Sequence, residues 1–507
     1  MKGKIKNIII SILLLVCCSF TLVGCANDSG TVLDLARENG LNCIKSAKEY
    51  NINSGNANQS QTSNPTTINV TNNNSSINLS EVFATLKENG YTGDFSSFLN
   101  DYVFKDHSSV TETEYSTNKN LFSVVSVYSE FRTYQYINNP LGSLQKTPYT
   151  QISAGSGVVY KTDKTDGSTY IITNFHVIYA SNEITGNYTY TKSDEGDGCI
   201  ATNIYCFMYG NVGSLNKTTS TDENGYTIYT PNQNAIKCEY VGGSASYDIA
   251  VLKVADESKN LVKNSNLCAA DIKHSNEITV GEKAVAIGNP ASSGLSATSG
   301  IISVDSEYID MTSAKNSTIK IRVIRTDAPV NGGNSGGGLF DSAGKLIGIV
   351  NAKLVSSQID NIGYAIPADI AVGVAENIIK YCDSENKNLQ KITLGIAVKS
   401  IYSSAVYDGT RAKVLETVAI EKVDQTSPLS GKITENTIVK KITISSFNAE
   451  GNETTKSINI ERLYSIVDAS FQFNVGDILT FSLYDTNGNK LNDVKLTLTS
   501  DLLATIE

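Results

Sequence analysis

Between residues 121 and 367 the apolar positions come in short runs broken by polar and glycine-rich stretches. Leu121-Phe-Ser-Val-Val-Ser-Val-Tyr128, Tyr170-Ile-Ile-Thr-Asn-Phe-His-Val-Ile178 and Ile249-Ala-Val-Leu-Lys-Val254 are the clearest. Runs of this length, rich in β-branched and aromatic residues, predict strands, and their succession predicts an all-β barrel body over a parallel α/β sheet. The pattern changes at Pro367. Ile370, Val374, Ile378 and Cys382 then follow four apart, one face of a helix that closes this body. Asp383 to Gln390 is a polar linker, and from Lys391 a second β-rich unit runs to about Ser500, with one helix predicted over Ile460 to Ser470. Upstream, Thr31 to Gly40 and Glu81 to Gly90 form a weak repeat, each with helical apolar spacing ending in Asn-Gly. The Asn/Ser/Thr/Gln-rich stretch Asn51 to Asn78 between them offers little to bury and predicts a flexible tether.

The chain has 507 residues and a formal charge of -10, with no long basic run. A nucleic-acid binder needs clustered Lys and Arg for phosphate contacts, so that class is excluded. Residues 1–24 read as a secretory signal: Lys2, Lys4 and Lys6 precede an apolar core from Ile8 to Val23, too short for an ordinary membrane span. The ending Leu22-Val-Gly-Cys25 resembles a bacterial lipobox, which implies cleavage before Cys25 and lipidation of that cysteine. An extracytoplasmic, lipid-anchored protein on the cell membrane is the expectation. Of nine cysteines, six lie beyond the anchor. Cys199 with Cys206 or Cys238 is a candidate staple, with the pairing left open. No His/Cys cluster has zinc-site spacing, so neither metal nor cofactor is expected.

The candidate chemistry centres on Val330-Asn-Gly-Gly-Asn-Ser-Gly-Gly-Gly-Leu-Phe340. Glycines around Ser335 permit positive φ and close approach of a substrate, and the Gly333 and Ser335 amides are placed to stabilise an oxyanion. A serine hydroxyl needs a base to become a nucleophile. Three histidines are present. His107 and His274 lie in polar stretches, whereas His176 ends an apolar run. Asp248, at the mouth of the run to Val254, is the carboxylate that could orient an imidazole.

His176, Asp248 and Ser335 in this order, each at the edge of an apolar segment, resemble the HtrA-type branch of the chymotrypsin-like serine proteases. Ser153-Ala-Gly-Ser-Gly-Val-Val-Tyr160, Gly281-Glu-Lys-Ala-Val-Ala-Ile-Gly-Asn-Pro290, Thr298-Ser-Gly-Ile-Ile-Ser303 and Gly363-Tyr-Ala-Ile-Pro367 extend the resemblance over Leu121 to Cys382. It implies a double β-barrel with His176 as general base, Asp248 as its orienter, Ser335 as nucleophile, and the Gly333 and Ser335 amides as oxyanion hole. It also implies unfolded or exported polypeptides as substrates, and activation by ordering of loops, often with trimer formation. About 70 residues between His176 and Asp248 depart from the compact family form and predict an added loop or hairpin. Pro329, six residues before the nucleophile, is no acid. An apolar P1 pocket follows, with Ile349, Val350, Ala365 and Ile366 as wall candidates.

Thr393-Leu-Gly-Ile-Ala-Val398, Ser427-Pro-Leu-Ser-Gly431 and Val475-Gly-Asp-Ile-Leu-Thr-Phe481 resemble a PDZ domain. That implies a smaller α+β module in which the Leu394, Gly395 and Ile396 amides hold a peptide carboxylate. The organisation expected is thus a signal over 1–24, a lipid-anchored tether over 25–120, a trypsin-like protease domain over 121–382 and a PDZ-like domain over 391–500. A membrane-anchored serine endopeptidase is the leading function. A catalytically latent protein that captures polypeptides with the barrel and the PDZ-like module is the alternative.

Overall fold

The computed structural model describes residues 79–88, 90–100, 110–138, 144–181, 183–185, 188–191, 198–211, 213–352, 362–382, 387–448 and 450–506. The signal, Cys25, the Thr31 to Gly40 helix and the Asn51 to Asn78 tether lie outside them. Among the described residues no helix is long and apolar enough to cross a membrane. The chain divides into a unit over residues 1–109 and a larger one over 110–507.

In the first unit the predicted second helix is present as α1, Leu79–Glu88. Phe83 on α1 meets the rings of Tyr91, Phe95 and Phe98 at 6.2, 5.1 and 5.6 Å, a small aromatic cluster. The contacts with Tyr91 and Phe95 are edge-on, and such pairs are worth about 0.5–1.5 kcal/mol each beyond their buried area.

The larger unit opens with α2, Glu112–Asn120, capped by Thr111, whose hydroxyl accepts the Glu114 amide. Twelve strands then build two barrels. The first uses β1 Val124–Asn138, β2 Leu144–Thr162, β3 Thr169–Thr173, β4 Asn203–Met208, β5 Ile236–Ser244 and β6 Ile249–Val254. They pair in the order β2-β3-β6-β5-β4-β1, and β1 pairs back onto β2 to close the ring. The second is a closed barrel of β7 Lys283–Gly288, β8 Ser296–Thr312, β9 Thr318–Thr326, β10 Gly338–Phe340, β11 Leu346–Val350 and β12 Gly363–Pro367, in the order β7-β8-β9-β12-β11-β10. The double barrel expected from the sequence is therefore present, and the chain is mainly β.

Strand alternation explains the unbroken apolar runs. On β6, Ile249 and Val251 join one buried cluster while Ala250, Leu252 and Val254 join another, so both faces are covered. The cover on the outer side includes α4, Ala368–Tyr381, which buries Ile370, Val374 and Ile378 as its spacing predicts. Each such side chain contributes about 1.5–3 kcal/mol by leaving water. A short helix, α3 Phe175–Ile178, follows β3 and carries His176.

The residues between His176 and Asp248 add a hairpin, Leu215–Thr221 with Thr227–Pro231. It lies against β1 and β2: Arg132 pairs with Asp222 at 3.0 Å, and Thr150 Oγ1 donates to the Thr227 carbonyl at 2.8 Å. Cys206 on β4 and Cys238 on β5 bring their Sγ atoms to 3.5 Å, a contact and not a bond.

Beyond α4 the chain enters β13 Leu389–Ile392, which pairs with the last strand, β20 Leu503–Ile506. Leu389 and Gln390, read from sequence as linker, are strand because a partner more than 100 residues away completes their hydrogen bonds. Between them lies a sheet of β14 Ile396–Tyr407, β15 Ala412–Val423, β16 Ile438–Phe447, β18 Ile478–Tyr484 and β19 Val494–Thr497, with β17 Glu453–Asn459 on β16. Its helix α5 is Leu463–Ser470. The helix starts later than predicted, because the Ile460 amide still donates to the Lys440 carbonyl at 2.9 Å.

Candidate active site

His176 and Asp248 come together at the end of the first barrel. Asp248 is fully buried and sits immediately before β6, with φ of 49°. That left-handed conformation strains most side chains but suits a tight turn. The turn is tied down by its own carbonyl, which accepts the Phe175 amide at 3.1 Å and Asn174 Nδ2 at 2.9 Å. Turned this way, the carboxylate faces α3. Oδ1 accepts the His176 amide at 3.0 Å and Oδ2 lies 2.7 Å from His176 Nδ1. With Nδ1–H donating to the carboxylate, Nε2 is left as the basic nitrogen.

A third donor reaches the same acid. Asn351, fully buried at the end of β11, donates Nδ2 to Asp248 Oδ2 at 2.8 Å. The next residue, Ala352, donates its amide to Ser335 Oγ at 3.2 Å. One dipeptide thus touches both the acid and the serine. Among the described residues no hydrogen bond joins Ser335 Oγ to His176; the hydroxyl is engaged by Ala352 instead. Ser335 and α3 are nonetheless neighbours, since a Cβ on Gly155 would meet both Val177, at 2.8 Å, and the Ser335 carbonyl, at 3.1 Å.

The loop before Ser335 is braced from the other barrel. Ser156 Oγ donates to the Gly333 carbonyl at 2.8 Å and accepts the Asn289 amide at 2.8 Å, while the Ser156 amide donates to the Ser335 carbonyl at 2.8 Å. Gly333 has φ of 98° and lies so close to the Asn289 carbonyl that a Cβ would collide with it. Among the described residues the amides of Gly333 and Ser335 donate to no protein group, which is the condition for an oxyanion hole. Gly332, by contrast, is exposed and in open space.

Ile349, Val350, Ala365 and Ile366 are each at most 1% exposed and belong to the core clusters. They leave no surface for a substrate and so do not form a P1 wall. In the C-terminal sheet, Leu394 and Gly395 precede β14, and Gly395 has φ of 60°. The Leu394 and Gly395 amides donate to no group among the described residues, while Ile396 enters the pairing with Val423. Sequence reasoning missed Asn351, Asn174 and Ser156. Asn351 and Asn174 are single polar residues at the rim of apolar strands and Ser156 lies within β2; burial rather than motif marks each.

Residues 155–349 match the trypsin-like peptidase domain. The serine protease Do-like HtrA of Lactococcus lactis subsp. lactis is 26% identical over 373 residues, covering 71% of this chain and 75% of that protein. The Bacillus subtilis serine protease Do-like HtrA is 28% identical over 284 residues, and the chain spans about half of it, 52%. A solved structure of the HtrA-type protease AlgW with a decapeptide covers 78% of this chain and 99% of its own, at 21% identity and a TM-score of 0.41.

Proposed function

We propose that this chain is a serine endopeptidase of the HtrA type, with His176, Asp248 and Ser335 as its catalytic triad. The observation that carries the proposal is the Asp248 carboxylate, held by the His176 amide, His176 Nδ1 and Asn351 together. Nε2 of His176 takes the proton of Ser335 as Oγ attacks a peptide carbonyl, and Asp248 stabilises the imidazolium that results. The Gly333 and Ser335 amides receive the oxyanion. His176 then hands the proton to the leaving amine, and water repeats the sequence on the acyl-enzyme.

Unfolded or exported polypeptides are the substrates of this reading, and residues 391–500 form a PDZ-like module whose Leu394, Gly395 and Ile396 amides take a chain terminus. Cys25 anchors the protein by lipid on the outer face of the cell membrane, and the working assembly is a homotrimer. The lipobox-like sequence supports the anchor, and the unclaimed Leu394 and Gly395 amides support the carboxylate site. A latent, polypeptide-capturing state is the second reading. It is favoured by one observation, the Ser335 hydroxyl bonded to the Ala352 amide and not to His176.

A fluorophosphonate probe on the chain beginning after Cys25 tests both. Labelling of the unsubstituted protein, absent in Ser335→Ala, supports the triad. Absence of labelling even with unfolded protein or C-terminal peptides added moves the reading to the latent form.

A further inference from the structure

We propose that Phe471, a residue of the C-terminal module, is a positioning residue for Asp248 that acts through the ring of Tyr247. Phe471 caps the C-terminal end of α5 and is 4% exposed. It does not point into its own module's core. It belongs to the buried cluster that contains Ile249 and Val251 of β6. Its ring meets that of Tyr247 edge-on, with centroids 5.3 Å apart and planes at 72°.

The seat for this ring is built from several directions. Gly373 on α4 has no side chain where a Cβ would collide with Phe471 Cβ. Asn377, one helical turn on, donates Nδ2 to the Phe471 carbonyl at 2.8 Å. Lys391 Nζ stands 4.0 Å from the ring centroid. Glycine is less favourable than alanine in a helix interior, so its presence opposite Phe471 marks a close fit.

Tyr247 is the chain neighbour of Asp248. A left-handed aspartate is strained and persists only where its surroundings over-determine it. On the far side of the turn the Asp248 carbonyl and carboxylate are held by Asn174, Phe175, His176 and Asn351. On the near side stand Tyr247 and, against it, Phe471. Removing the Phe471 ring frees Tyr247 to rotate and lets the turn relax. The carboxylate then loses its alignment with Nδ1, without any change in the groups that bind substrate.

The inference rests on the triad reading. Phe471→Ala in the full chain after Cys25 is expected to lower kcat about ten- to hundredfold, as a misplacement of about 1 Å does, with KM within twofold. Phe471→Tyr, which keeps the ring, restores kcat. Tyr247→Ala reproduces the loss, and the double variant is no slower than either single one. The low-field proton resonance of the His176 Nδ1–H, a direct report on the hydrogen bond to Asp248, broadens or shifts in Phe471→Ala. Gly373→Ala, which keeps the ring but displaces it, serves the same purpose if Phe471→Ala does not fold. Wild-type kcat in Phe471→Ala, a change confined to KM, or an unmoved proton resonance overturns the inference. An unsubstituted chain that neither hydrolyses casein nor takes the fluorophosphonate probe overturns the triad reading instead.

Discussion

Asn351 donates its side-chain nitrogen to Asp248 at 2.8 Å across 103 residues of sequence, so the second barrel supplies a donor to the acid of the first. A hydrogen bond to a buried carboxylate is worth about 1.5–3 kcal/mol. Asn351→Ala is expected to lower kcat roughly tenfold at nearly constant KM, measured on a small ester. Asn351→Asp puts a second carboxylate against the first and lowers it further. Equal kcat in all three proteins would show that Asn351 only fills space.

The brace under Gly333 gives a second prediction. Ser156→Ala removes one acceptor from the Asn289 amide and one donor from the Gly333 carbonyl. A buried group left unsatisfied costs about 1–3 kcal/mol, and the oxyanion loop loses its fixed point. Fluorophosphonate labelling should slow about tenfold or more, while His176 and Asp248 keep their contact.

Between the second barrel and the C-terminal sheet, Arg322 Nη2 contacts both oxygens of Asp468 at 2.8 Å, and both residues are buried. Burial pushes the Asp468 carboxyl up to about 6 against the pull of Arg322. Arg322→Met leaves that charge unpaired and should destabilise the fold by about 3–5 kcal/mol. Adding Asp468→Leu should recover most of the loss. Denaturant midpoints of the single and double variants check this.

His274 donates Nδ1–H to the Asp369 carboxylate at 2.7 Å, and this hydrogen bond raises the histidine above its ordinary value of 6.5. A group raised on folding stabilises the fold below its unfolded pKa and ceases to as pH rises through its folded one. Asp369 is itself lowered, so it stays ionised through that range. The His274 side chain is 57% exposed, and solvent screening keeps the effect small. His274→Gln should melt about 1–2 °C below the unsubstituted protein near pH 5.5, with the gap closing by pH 8.5.

The all-β body was legible because each run is short, apolar and bounded by turn residues, whereas the division into two barrels and the pairing of histidine with aspartate were implied only by the family resemblance. Both faces of β11 are buried, Ile349 in one cluster and Val350 in another, which is why an apolar pair there reads equally well as pocket wall or as core. Asn351 was not legible: one asparagine after Ile347-Gly-Ile-Val350 carries no periodicity, and its meaning depends on an acid contributed from the other barrel. Leu389 and Gln390 failed for the same reason, since a pairing with residues over 100 positions away leaves no local signature.

The reach from Asp248 to Asn351 also orders events during synthesis. A ribosome adds about 5–20 residues per second and early segments fold first, so the 103 residues between them separate the two by on the order of 5–20 s. The histidine and its acid can meet while the serine loop and its bracing asparagine are still unmade. A nascent chain therefore lacks the full constellation until the second barrel closes.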